Sequence, residues 1–354
     1  RENFLGDQYL GPQIQLAIVN AVRAIAGDNA RASAYADDLR LRHDFQRSAT
    51  VVSFIELIDS WVGLSPQQMQ RMTVVVEELY KRGHLSFSPA MSMQDFGPKE
   101  KLAPILKLLT EQQRVYFNKF GNEDPSGRFA LSEELEEDGA KQAALKVQLQ
   151  SVAAMKIECL RIRLGLTPRQ VRRLQLVSKK VVSTSLRLRT DTKRAYMKSA
   201  TDRADGRPVA LDQNRMAIMT AHPVHLFETQ TDWDKFVVAA LTDDQKLLQA
   251  ESVKATVERK RDVLGYMLVM AFQRELKLSG KQMHATHKLI SPGFGAVRSV
   301  AMNGVNMMDN FASLLDISDE KYVEAMGADN WAVFEPQLQQ LRMQLERMKK
   351  AKED

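Results

Sequence analysis

His284 and His287 stand three residues apart, a spacing that puts two imidazoles on one face of a helix. A zinc site takes three or four ligands, and no Glu or Cys stands at a matching offset beside that pair. His222 and His225 fall in an irregular stretch. No metal is therefore expected. The carboxylate pairs Asp232/Asp234 and Asp243/Asp244 suit the first turns of helices, where the dipole favours negative charge. Gly293–Phe294–Gly295 lacks the preceding strand and the spacing of a phosphate cradle. The single cysteine, Cys159, cannot form an internal disulfide. It lies on the helically spaced apolar set Val152–Met155–Cys159–Ile162 and reads as a buried structural thiol. No nucleophile elbow or dinucleotide fingerprint occurs. The expectation is a protein without catalytic, cofactor-binding or metal-binding residues, hence not an enzyme.

Charge offers a different chemistry. Between Arg161 and Arg194 stand eleven Lys or Arg against one acid, Asp191. That stretch carries +10, whereas the whole chain carries +6, so the remainder is −4. The cations interrupt an apolar stripe at helical spacing, which makes them the outer face of a helix. Arg169, Arg172, Arg173, Lys179, Lys180, Arg187 and Arg189 are the candidate surface for an anionic partner. No aromatic suited to base stacking occurs before Tyr196, so nucleic acid is the weaker candidate and an acidic protein or envelope surface the stronger. The competing reading is a solvated face, paired in part with the acidic run Glu133, Glu134, Glu136, Glu137 and Asp138. Met216 and Met219, and Met302, Met307 and Met308, form clusters that suit either adaptable core filling or promiscuous binding.

The elements that position these groups are announced by a recurring pentapeptide, Leu–Ser/Thr–x–x–Gln, which starts at Leu64, Leu109, Leu166, Leu241 and Leu278. Each copy is a capping box. The hydroxyl of Ser65, Thr110, Thr167, Thr242 or Ser279 accepts from a free N–H of the first turn. Gln68, Gln113, Gln170, Gln245 or Gln282 reaches back to the cap. The copies at Leu64, Leu166 and Leu278 add an apolar residue after the Gln (Met69, Val171, Met283), which makes a hydrophobic staple. They stand 102 and 112 residues apart (166 − 64; 278 − 166). An unstapled copy follows each of the first two, and a degraded one, Ile317–Ser318–Asp319–Glu320–Lys321, is expected after the third.

Apolar residues are 44% and aromatics 7% of a chain rich in Leu, Gln, Met, Lys and Arg, an all-α profile. The predicted architecture is about three diverged modules of helical hairpins with long loops, stacked as a bundle or an array. The segments are 1–47 (N-terminal helical), 48–150, 151–250 and 251–354, the last with a charged C-terminal helix from Pro336. Helices are expected near 12–25, up to Leu39, over 48–62 and up to Lys81, and a loop over 85–100. A long helix should run to Leu164 and resume at Pro168. Residues 199–231 should be an irregular surface excursion. One helix of about 35 residues should fill Thr242 to Lys277, which holds no strong breaker except Gly265. No run approaches the ~18 apolar residues of a membrane span. A chain starting at Arg1 is what processing of an exported protein leaves, and equally what trimming leaves.

The five pentapeptides resemble the LTxxQ motif of periplasmic chaperone and stress-sensor proteins of the bacterial envelope. That resemblance implies a helical fold, an envelope location and chaperone-like (holdase) binding of clients. Across residues 150–345, Trp233–Asp234–Lys235–Phe236 before Leu241, the long helix into Leu278, and Asn330–Trp331 before Leu338 and Leu341 are similar to exported helical proteins of planctomycete-type bacteria. That likeness implies location and transfers no site residues. The expected partners are proteins, whether further copies of the chain or subunits of a larger assembly.

Overall fold

A left-handed residue closes three of the long helices and hands the chain to a leucine. Gly63 (φ 59°) precedes Leu64, Gly165 (φ 62°) precedes Leu166, and Lys277 (φ 50°) precedes Leu278. The backbone reverses there, and the leucine side chain is buried at each. Leu109 and Leu241 are buried as well. The computed structural model describes residues 17, 18, 20–22, 24, 25, 29–85, 102–120, 139–204, 218, 223–228, 230–294 and 313–353. Among them the secondary structure is helical, with no strand. The all-α reading holds.

Helix α1 (Ala30–Val62) begins where Asn29 Oδ1 accepts from the amides of Arg31 (3.0 Å) and Ala32 (3.3 Å). The two helices expected up to Leu39 and over 48–62 are this one helix. No Gly or Pro interrupts it, and its polar middle buries Phe45 and Ala49 while Arg42 pairs with Asp38 four residues earlier (2.7 Å). Then follow α2 (Pro66–Lys81), α3 (Ala103–Leu106), α4 (Glu111–Phe120), α5 (Gly139–Leu164) and α6 (Pro168–Ala204). After them come α7 (Pro223–Glu228), α8 (Thr231–Ala240), α9 (Asp243–Leu276), α10 (Gly280–Ile290), α11 (Asp319–Met326) and α12 (Ala328–Glu353). The 34 residues of α9 pass through Gly265 without a break.

Two sequence expectations change. The stretch 199–231 is partly helical: α6 extends to Ala204, and α7 places Leu226 and Phe227 in the core, with Phe227 edge-on to Trp233 (5.2 Å). Pro223 occupies the first position of α7, where its missing N–H costs nothing. The C-terminal helix starts at Ala328, and Pro336 lies inside it. Pro336 and Ala332 are both exposed, so the carbonyl that loses its helical donor can be hydrated. The loop expected over 85–100 lies, beyond Leu85, outside the described residues.

The chain divides into two compact units. One comprises Arg1–Leu57, Gln70–Leu108 and Ala255–Asp354, the other Ile58–Met69 and Leu109–Lys254. In the first, Phe45 meets Tyr266, His284 and His287 edge-on, while Tyr322 stacks on Trp331 and Phe334 meets Trp331 edge-on. Gly280 lies against α1 so closely that a Cβ there would stand 2.4 Å from Leu41 Cβ and 2.9 Å from Arg42 N. In the second, α5 and α6 form an antiparallel hairpin, since Gln142 and Thr190, equally far from the turn, share a hydrogen bond (3.4 Å). Helices α7 and α8 pack on α6, and α4 packs on α5. The buried stripe of α6 runs Leu174, Ser178, Val181, Val182, Ser185, Arg189, Thr192. No described helix is long and apolar enough to cross a membrane.

Candidate functional site

All five capping boxes close. The cap N–H donates to the Gln Oε1 at 2.8–3.1 Å in every copy, and the N3 amide donates to the hydroxyl at 3.1–3.3 Å. That leaves each glutamine with a spare NH2. In the copies at Leu64 and Leu109 the two amides face each other. Gln68 Nε2 donates to Gln113 Oε1 (2.7 Å), and Gln113 Nε2 donates to Gln68 Oε1 (3.2 Å). Gln113 Nε2 also donates to the carbonyls of Gly63 (2.8 Å) and Val62 (3.3 Å), where α1 ends. One buried side chain thus caps its own helix as acceptor and a different helix as donor.

The copies at Leu166 and Leu241 repeat the arrangement. Gln170 Nε2 donates to Gln245 Oε1 (2.6 Å) and to the Ala240 carbonyl at the end of α8 (2.9 Å). Gln245 Nε2 donates to the Leu164 carbonyl at the end of α5 (3.1 Å). The first turns of α6 and α9 are thereby fastened side by side.

The fifth glutamine corrects the expected sixth copy. Ser318 is the N-cap of α11, so a helix starts where the sequence places it, but its side chain makes no cap hydrogen bond and no box closes there. Gln282 Nε2 instead donates to the Met326 carbonyl at the end of α11 (2.5 Å). Asn330 Nδ2 approaches Gln282 Oε1 at 3.5 Å and donates to the Met326 carbonyl at 2.9 Å. The partner of the copy at Leu278 is therefore Met326–Gly327–Ala328–Asp329–Asn330. Asn is one methylene shorter than Gln, which lengthens the contact. Gly327 takes the cap position at φ 83°, and a Cβ there would stand 2.9 Å from Gln282 Nε2. The incoming amide occupies the space of a side chain.

A buried ion pair reinforces the first corner. Asp59 accepts from Leu64 N (2.6 Å) and pairs with Arg163, whose Nε donates to the Leu64 carbonyl (3.1 Å). Both backbone groups of Leu64 are held by one carboxylate and one guanidinium. Cys159 Sγ donates to the Val62 carbonyl (3.1 Å), and burial pushes the thiol up to about 11. In the other unit Glu56 pairs with Arg259 (3.1 Å). Sequence reasoning missed these pairs because their partners stand a hundred or more residues apart; only the apolar setting of Asp59 and Glu56 late in α1 hints at them.

The basic face resolves into an exposed part and a buried one. Arg169, Arg172, Arg173, Lys179, Lys180 and Arg187 are exposed on α6. Arg189 is not among them: it is 8% exposed, on the stripe of Val182 and Ser185 at helical offsets of seven and four. Among the exposed cations stands Leu176, 68% exposed, with Arg172 and Arg173 one turn before it and Lys179 and Lys180 one turn after. Lys180 Nζ reaches 5.8 Å from the centroid of the Phe236 ring. The acidic run 133–138 lies outside the described residues. Gly139, which follows it, begins α5 at the Thr190 end of the hairpin, remote from Arg172.

His284 and His287 both pack edge-on against Phe45. The His287 ring stacks on Tyr266 (3.9 Å), its Nε2 lies 3.2 Å from the Asp262 carbonyl, and burial holds its pKa down. No group of three His, Cys, Asp or Glu suited to a metal occurs among the described residues. His222 and the methionine clusters at 216/219 and 302/307/308 lie outside them. No family model, curated protein or solved structure matches the chain.

Proposed function

We infer that this protein is a non-enzymatic helical scaffold or structural subunit of the bacterial envelope, which binds other proteins or further copies of itself through outward helical surfaces. The observation that carries this reading is the exposed face of α6, a leucine ringed by four cations on a helix whose first turn is fastened to α9. A rigidly mounted surface loses little conformational entropy when a partner docks. The three amide-linked pairs of corners support a build of about three diverged helical modules. The LTxxQ likeness supports the envelope location.

The test is the native assembly. In envelope extracts of the source cell the wild-type chain should migrate with partner proteins above its own mass. Arg172→Glu/Arg173→Glu/Lys179→Glu/Lys180→Glu, with unchanged helicity and melting temperature, should migrate alone. A wild-type chain that is solitary in those extracts overturns the reading. The same face favours a second one, an anionic polymer as ligand. Duplex DNA and heparin separate the two: binding that falls steeply with salt and is lost in the quadruple variant would favour the polymer. A holdase role, which the motif likeness supports, requires suppression of client aggregation at near-equimolar chain.

A further inference from the structure

The outer side of the first two turns of α9 carries the opposite composition to that of α6. Leu247 and Leu248 are 67% and 50% exposed, and Asp244 and Glu251, one turn to either side, are exposed carboxylates. Asp243, exposed in the same first turn, keeps its charge satisfied by Lys246 (2.7 Å), which also holds its carboxyl below the usual range. Both surfaces belong to one compact unit, and the Gln170–Gln245 contact sets their helices side by side at their first turns. On each helix the exposed leucines and charges lie away from the more buried stripe: Leu174 is buried behind Leu176, and on α9 the half-buried Gln245, Gln249 and Ser252 form a stripe separate from exposed Asp244, Leu247, Leu248 and Glu251.

We propose that the Leu176 surface of α6 docks onto the Leu247–Leu248 surface of α9 in a second copy of this chain. The complementarity is one of pattern as well as sign. Leu176 would meet Leu247 and Leu248 at the centre, where the apolar area leaves water. Arg172, Arg173, Lys179 and Lys180 would ring that contact opposite Asp244 and Glu251. Such an arrangement uses attraction to choose partner and register, because each leucine surface set against a copy of itself would bring like charges together. Each chain carries both halves, so the contact is reciprocal or propagating. It rests on the scaffold reading above and names one of its partners.

The experiment is sedimentation equilibrium of the full chain at low ionic strength, with two charge-reversed variants. Variant one is Arg172→Glu/Arg173→Glu/Lys179→Glu/Lys180→Glu, and variant two is Asp244→Lys/Glu251→Lys. The wild type should associate, and each variant alone should remain monomeric. An equimolar mixture of the two should associate again, a rescue that misfolded protein cannot produce. Leu176→Ser and Leu247→Ser should each weaken association by about tenfold or more. Association of the wild type should also weaken as salt rises. A monomeric wild type, a variant that self-associates as the wild type does, or a mixture that stays monomeric overturns the proposal. A monomeric chain that still migrates with other proteins in envelope extracts sinks this contact and leaves the scaffold reading standing.

Discussion

Glutamine, and no isosteric acid, is what the corner demands. A capping box accepts Glu or Gln at its third helical position, since either oxygen can take the cap N–H. Only the amide can also donate, and Gln113 spends that donor on the Gly63 carbonyl and on Gln68. Gln113→Ala should lower unfolding stability by about 2–3 kcal/mol, because buried partners lose their bonds. Gln113→Glu should be at least as damaging, because it sets carboxylate oxygen against two acceptors. Urea denaturation with an unchanged m-value measures both, and equal stability of wild type and Q113E would refute the donor argument. Lys277 tests the backbone side of the same corner. Its φ of 50° is strained for a side chain that is exposed. Lys277→Gly should stabilise by about 0.5 kcal/mol, the relief of left-handed strain less the added freedom of the unfolded glycine. Histidine adds a pH dependence. Burial, the largest influence on both, holds His287 and His43 below the ordinary 6.5, so the unfolded chain takes up their protons first. Stability is then full above pH 6.5 and is lost as pH falls through that value toward the folded pKa values. Asp262, whose carboxyl burial raises, works in the opposite sense. The difference between wild type and His287→Phe isolates the imidazole: the variant's melting temperature should drop less between about pH 7 and pH 5.

At the scale of the element, two glycines of the same φ do different work. A Cβ on Gly63 would stand 2.1 Å from Cys159 Sγ, whereas nothing lies within 4 Å of one on Gly165. Gly165→Ala should therefore cost about 1 kcal/mol, the left-handed strain alone. Gly63→Ala should cost about 2–4 kcal/mol, strain plus overpacking. Thermal or urea unfolding of the pair checks this, and equal losses would show that the α1 end is not packed on Cys159. The thiol gives a second reading of that contact: buried and raised to about 11, it should react with a disulfide reagent only as fast as the protein opens. Helix continuity was harder to read than helix position. The polar middle of α1 looks like a break until Phe45 finds Tyr266 and the two imidazoles. Pro336 looks like a start until its exposed position inside α12 is seen.

For the whole molecule, surface charge and interior packing are separable. The exposed cations at 172, 173, 179 and 180 of α6 point away from the core, so reversing all four should leave the melting temperature within a few degrees. A large fall would mean that the face is a structural one. Arg189, buried on the opposite side, should behave otherwise: Arg189→Glu is expected to destabilise by about 3 kcal/mol or more.

What the linear chain determined was local. Hydroxyl and amide three residues apart and helical periodicity act within a turn or two of backbone, so five helix starts, the long α9 and the all-α class could be read directly. Tertiary structure decided which corner faces which. Gln68 meets Gln113 across 45 residues, Gln170 meets Gln245 across 75, and Gln282 finds Met326 and Asn330, not the Ser318 segment. It also decided that Arg189 turns inward while Leu176 turns outward. Such pairings depend on packing between helices distant in sequence, and a capping box reads the same whether its spare amide meets water or another helix.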